Sequence, residues 1–203
     1  MPRAAGAAAS GRRHSVGGVG EAVAFLGREG VRRLALEVAT SRLLERVPGG
    51  GAATRAESHG HAVTVAAWAA ALADRAGADA RAAHLGGLLH DVGKLVMPGI
   101  FPREALEAIA AEAPCGGVPC AREREAFGID HAAVGAALGE TWGLDPDAVA
   151  AVRDHHGPRA GGRVSRCVQA ADAVARLLAG HDADHGLLAR ALAELGLERS
   201  VLE

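Results

Sequence analysis

A chain of 203 residues with 49% apolar and 23% charged side chains is long enough for one core, burying roughly 70% of the surface its unfolded form exposes. A net charge of -2 supplies no basic face for nucleic acid, and no stretch approaches the roughly 20 apolar residues of a membrane span. With no Tyr, three Phe and two Trp, the core must come from Ala, Leu and Val. The odd set Cys115, Cys120 and Cys167, with no signal peptide before it, points to a reducing cytoplasm rather than a disulfide framework.

Apolar residues recur at helical spacing along almost the whole chain, and no run alternates with period two, so the fold class is all-α, a single-domain helical bundle. Residues 1–13 are small and basic and are expected to be a disordered tail before a domain at 14–203. A first helix over 18–28 carries Val19, Val23 and Leu26 and stops near Gly27 and Gly30. The next, over 31–46, ends at Pro48 and three glycines. A long helix over 55–76 follows, with Val63, Val65, Trp68 and Leu72 as its bulk and Gly77 as its C-terminal cap.

Asp79 can cap the next helix, whose Leu85, Leu88 and Leu89 lead into His90-Asp91-Val92-Gly93-Lys94, where Gly93 should end or bend it. Another helix is expected over 102–113. A loop with Cys115 and Cys120 then leads to a charged stretch at 121–125, and these cysteines read as incidental loop thiols. Asp130 is the expected cap of a helix to Trp142, with His131 in its first turn. Asp145-Pro146 opens a helix ending at His155-His156-Gly157-Pro158, and Asp172 lies on a helix over 163–179. Two weak helices close the chain. Trp68 and Trp142 are expected in the core, and His59, His84, His181 and His185 on the surface.

The polar residues that interrupt these apolar helices are of a narrow kind: Glu57, His61, His90, Asp91, His131, His155, His156 and Asp172. A lone histidine on a helix is more often packed or solvated than a ligand. Together, however, they form the ordered series Glu-x3-His, His-Asp-x-Gly-Lys, Asp-His, His-His and a later Asp, all of metal-ligand type. Mixed imidazole and carboxylate sets suit iron, manganese, zinc or cobalt better than calcium. Glu57 and His61 share a helix face because they are four residues apart.

This series resembles the HD metal-dependent phosphohydrolase superfamily. The segments HSVGGVGEAVAFLGREGVRRLALEVAT from His14 to Thr40 and DHAAVGAALGETWGLDPDAVAAVRDHHGP from Asp130 to Pro158 are most similar to its HDOD signalling branch. The related HD-GYP branch carries a Gly-Tyr-Pro element for cyclic di-GMP, whereas here His155-His156 is followed by Gly-Pro-Arg-Ala-Gly-Gly. HDOD domains usually begin with a further helical lobe before the segment matching His14, and that lobe is expected to be missing here.

The resemblance implies a cytoplasmic bacterial signalling protein with two divalent metal ions. It assigns His61, His90, Asp91 and Asp172 to the core site and His131, His155 and His156 to an extension for a second ion, with Glu57 as an eighth candidate. Asp91 then bridges, and the two ions activate water for attack on phosphorus. Lys94, the only lysine among 22 basic residues, would meet a phosphate oxygen. The implied function is metal-dependent hydrolysis of a phosphomonoester or phosphodiester, with a phosphate-containing small molecule or nucleotide as ligand and no nucleic acid or membrane. The competing class is an inactive scaffold that binds a signalling protein or a nucleotide.

Overall fold

A computed structural model of the chain describes residues 18–46, 52–102, 104–105, 119–157, 161–181, 183 and 185–202. All regular structure among them is helical. The expected tail at 1–13, most of the helix expected over 102–113, and Cys115 lie outside the described residues. None of the described helices is long and apolar enough to cross a membrane.

The chain divides into two units, one ending at Leu36 and the other running from Glu37 to Glu203. Helix α1 (Val19–Arg46) begins in the first. The stop expected near Gly27 is present as a break inside this helix, where Gly27 adopts φ 65° and ψ 175°, a conformation open to a residue without Cβ.

The second unit holds α2 (Ala52–Ala76), α3 (Ala80–Leu89), α4 (Val92–Val96), α5 (Pro119–Phe127), α6 (His131–Thr141), α7 (Pro146–Asp154), α8 (Arg163–Leu178) and α9 (His185–Leu195). Buried Ala62, Val65, Ala66, Ala69, Leu72, Ala73 and Ala76 form one stripe along α2, at the three- and four-residue spacing that puts side chains on a single helix face. Its small residues let α3 come close: a Cβ on Gly87 would stand 2.9 Å from the Ala66 Cα.

Helix α8 is buried along every residue from Val164 to Ala175, which makes it the central helix, packed by α2, α3, α7 and α9. A helix buried on all sides must satisfy its own polar residues. Arg166 does so through Glu194 on α9, at 2.5 Å, and through Gln169 Oε1, at 2.9 Å.

Aspartates set the helix starts as their positions predict. Asp79 accepts from the N–H groups of Arg81 and Ala82, Asp130 from Ala133 N and Asp145 from Asp147 N; each satisfies donors that the first helical turn leaves orphaned. Gly77 takes φ 66° after α2, as a helix-ending glycine should.

Several expectations need correction. Gly93 neither ends nor bends a helix: α3 stops at Leu89, and Gly93 lies inside α4, where a Cβ would meet the His131 carbonyl oxygen at 1.9 Å. Its smallness serves close packing of α4 on α6. Cys120 belongs to α5 rather than a loop and is 2% exposed. Trp142 is not a core residue, because it follows the last turn of α6 and is 47% exposed; on α2, Trp68 is only half-buried and Val63 is exposed.

Candidate metal centre

His90 and Asp91 occupy the turn between α3 and α4, and His155 and His156 the turn after α7. His131 opens α6, His61 lies on α2 and Asp172 on α8. Five separate stretches of sequence therefore supply the donors. They form two groups, His61 with His90 and Asp172, and Asp91 with His131, His155 and His156. Within each group the ligand atoms lie within 4.8 Å of one another.

Asp91 joins the groups. Its Oδ1 lies 3.4 Å from His131 Nε2 and 3.5 Å from His155 Nε2, while Oδ2 lies 3.4 Å from His90 Nε2. On the other side, His61 Nε2 stands 3.0 Å from Asp172 Oδ1, and His90 Nε2 stands 3.9 Å from it.

Three of the rings are fixed through Nδ1. His90 donates to the Gly87 carbonyl and His155 to the Val152 carbonyl, each at 2.7 Å. His131 Nδ1 lies 2.7 Å from Glu123 Oε2, and because that carboxylate is held below its ordinary range, the ring nitrogen is the donor. In the neutral ring a proton on Nδ1 leaves the Nε2 lone pair turned to the site, the tautomer a metal ligand needs.

The donor set fits divalent metal ions. Among the described residues His156 Nε2 is a buried atom without a partner, while His61 Nε2, His90 Nε2 and Asp91 Oδ1 make no well-formed hydrogen bond and face only other ligand-type atoms at 3.0–3.5 Å, an arrangement that is costly unless something else binds there. Two donors about 2.1 Å from a shared tetrahedral ion stand about 3.4 Å apart. The separations among Asp91 Oδ1, His131 Nε2 and His155 Nε2 are 3.4, 3.5 and 3.4 Å. Cys120, Glu123 and His131 also stand close together, but the 2.7 Å Glu123–His131 contact is a direct hydrogen bond, so this trio braces the ring.

Charge is unevenly shared. Burial opposes ionisation of Asp91, yet Lys94 and His90 hold its carboxyl well below the usual carboxylate range. Burial likewise opposes Asp172, which His61, His90 and Arg176 hold low. Burial works against a charged His131 too, but Asp91, Cys120 and Glu123 outweigh it and raise the ring to about 11, so Nε2 carries a proton there that a bound cation would displace. His156 has no such support, so burial and the adjacent His155 push it down to about 2.

Seven of the eight candidate ligands thus come together. Glu57 does not join either group; its exposed carboxylate lies 3.8 Å from His181 Nε2 at the edge of a cavity. Two residues are missing from the sequence reading. Glu123 lies eight positions before His131 across a turn, a spacing with no local rule. Arg176, four residues after Asp172, donates from Nε to both Asp172 oxygens at 3.1 Å, and the i, i+4 rule for opposite charges could have found it.

The sequence pattern of the HDOD domain matches residues 2–158. The chain belongs to the HDOD domain family. Asp172 lies beyond that match, so its place in the site comes from geometry. The HDOD domain is also similar to a candidate signal transduction protein of Marinobacter aquaeolei, 25% identical with a TM-score of 0.75, covering 93% of this chain and 44% of that one. Its fold is shared with a candidate phosphohydrolase of Shewanella amazonensis, 24% identical with a TM-score of 0.72, covering 90% of this chain and 68% of that one. An uncharacterized protein of Treponema pallidum is 26% identical over 140 residues. The chain spans 26% of that relative's length.

Proposed function

We propose that this HDOD domain is a metal-dependent phosphohydrolase with two divalent ions. The observation that carries the reading is the set of buried imidazole nitrogens of His61, His90 and His156 that make no well-formed hydrogen bond, gathered about Asp91, whose two oxygens face different groups. Ions held there supply Lewis-acid activation of water and of a phosphoryl oxygen. The chain's own residues position the rest. Asp91 is held in place by Lys94, whose Nζ lies 2.7 Å from its Oδ2, and that ammonium lines the adjoining cavity, where it can meet a phosphate oxygen. The name of the Shewanella protein points the same way.

The experiment is elemental analysis of the purified chain, with assays of a generic phosphomonoester and a generic phosphodiester in added manganese or iron. Stoichiometric metal and hydrolysis abolished by Asp91→Ala are expected. No bound metal together with no such hydrolysis overturns the reading. A second reading, a scaffold for a signalling protein in the cytoplasm, is favoured by the name of the Marinobacter protein, and metal without turnover would select it.

A further inference from the structure

A cavity of about 490 Å³ opens beside His61, His90 and Asp91, a size within the roughly 300–1,000 Å³ of small-molecule sites. Each carboxylate of the core group has a cation from its own stretch of chain. Lys94 follows Asp91 by three residues and lies 2.7 Å from it. Arg176 follows Asp172 by four and grips it edge-on through Nε alone. Both cations line the cavity, at 34% and 28% side-chain exposure, neither free in solvent nor sealed away.

Asp172 uses one of the five N–H donors of a guanidinium, and Asp91 uses one of the three on the ammonium. The remaining donors belong to groups on the cavity wall, next to the metal-ligand atoms. The rest of that wall includes the aliphatic side chains of Leu95, Leu178 and Ala179. A phosphate bound here meets three anchors, the ion position at His61 and His90, the ammonium and the guanidinium. A phosphomonoester has three non-bridging oxygens and close to two negative charges at neutral pH. A diester has two such oxygens and one charge, so one anchor would be left without a partner.

Building on the phosphohydrolase reading, we infer that this cavity takes the terminal phosphate of a phosphomonoester, with Lys94 and Arg176 each holding one non-bridging oxygen and a compact, aliphatic-faced alcohol against Leu95 and Leu178. In turnover the oxygen of water bonds to phosphorus and the ester P–O bond breaks. Its electron pair leaves on the alcohol oxygen, which takes up the proton that water gives up, and the products are an alcohol and inorganic phosphate. Arg176 is therefore a specificity residue as well as the brace of Asp172.

Calorimetric titration of the manganese-loaded chain with phenyl phosphate and with diphenyl phosphate, each run beside a phosphate-release assay so that binding is read apart from turnover, tests this. Phenyl phosphate is expected to bind at least about tenfold tighter, and Arg176→Gln to weaken it by about tenfold or more, the scale of one charge-assisted hydrogen bond, with Arg176→Lys recovering part of the loss. Because Arg176 also braces Asp172, Ala179→Glu provides a second variant. That exposed wall residue contacts no proposed ligand, and its new charge should repel the dianion more than the monoanion.

Equal or tighter binding of diphenyl phosphate, or phenyl phosphate affinity within twofold of wild type in both Arg176→Gln and Ala179→Glu, overturns the inference. If phenyl phosphate binds selectively but no substrate is hydrolysed, the cavity inference stands and the hydrolase reading fails. If a diester is hydrolysed in preference, the hydrolase reading stands and this inference fails.

Discussion

One carboxylate oxygen of Glu123 accepts from both the backbone N–H and the ring Nδ1–H of His131, at 2.8 and 2.7 Å. Glu123 is 6% exposed and His131 fully buried, so neither donor has water as a substitute. Glu123→Ala is expected to cost about 1–3 kcal/mol of stability from unpaired buried donors, read by denaturant unfolding of the metal-free chain. It should also weaken metal binding by about 10–100-fold, the usual effect of losing a carboxylate behind a ligating histidine. Glu123→Gln, which keeps an acceptor, should fall between. Equal metal affinity in wild type and Glu123→Ala would show that the ring orients itself without the carboxylate.

The helices and their caps were legible because the rules behind them are local. Asp79, Asp130 and Asp145 announce helix starts within three residues, whereas on α2 only Val65 and Leu72 of the expected apolar bulk are buried and alanines complete the inner face, since side-chain size does not mark which face packs. The gathering of His61, His90, Asp91, His131, His155, His156 and Asp172 could be anticipated from residue type in an apolar setting. Glu57 failed that reasoning because its four-residue offset from His61 fixes a shared face but not a reach toward the centre. Glu123 and the burial of Cys120 depend on how α5 lies against α6, a tertiary fact with no sequence period. Gly93 was assigned the commonest role of a helical glycine, but close approach of two backbones decides its identity.

That approach makes Gly93→Ala a sharp test. The added Cβ would sit 1.9 Å from the His131 carbonyl oxygen, 2.7 Å from its carbonyl carbon and 3.0 Å from Gly135 N. All three are backbone atoms, so no side-chain rotation relieves the clash, and α4 must move away from α6. A loss of about 3 kcal/mol or more is expected, beyond the ordinary cost of overpacking. Gly60→Ala, on an exposed stretch of α2 with open space around its Cβ position, should be neutral or stabilising. Comparable melting temperatures for the two variants would contradict the packing of α4 on α6.

Cys167 gives a pH signature. Burial in α8 pushes its thiol up to about 11 from an ordinary 9.0, so the folded state keeps a proton that the unfolded state releases first. Stability then falls as pH rises from about 9 to about 11, where the unfolded chain binds fewer protons, and it is unaffected below that window. Cys167→Ala should flatten this alkaline slope while lowering stability at neutral pH through the small cavity it leaves. Unfolding curves at pH 8, 9 and 10 check the sign; a steeper slope in the variant would refute it.

Gln169 decides whether the two donor groups can be separated. Its Nε2 donates to the carbonyls of Asp154 and Gly157, at 2.8 and 2.7 Å, and so ties the turn carrying His155 and His156 to the central helix. Arg166, anchored on Glu194, holds the other end of the same amide. Gln169→Leu keeps the volume but frees both carbonyls, at about 1–3 kcal/mol, and lets the turn drift. His61, His90 and Asp172 do not depend on that turn. On the two-ion proposal, metal content after gel filtration should therefore fall from two ions per chain toward one, the remaining ion being lost when Asp172→Asn is added. Simultaneous loss of both ions in Gln169→Leu would mean that the groups bind as a single indivisible centre, and retention of both would mean that the turn keeps its place without Gln169.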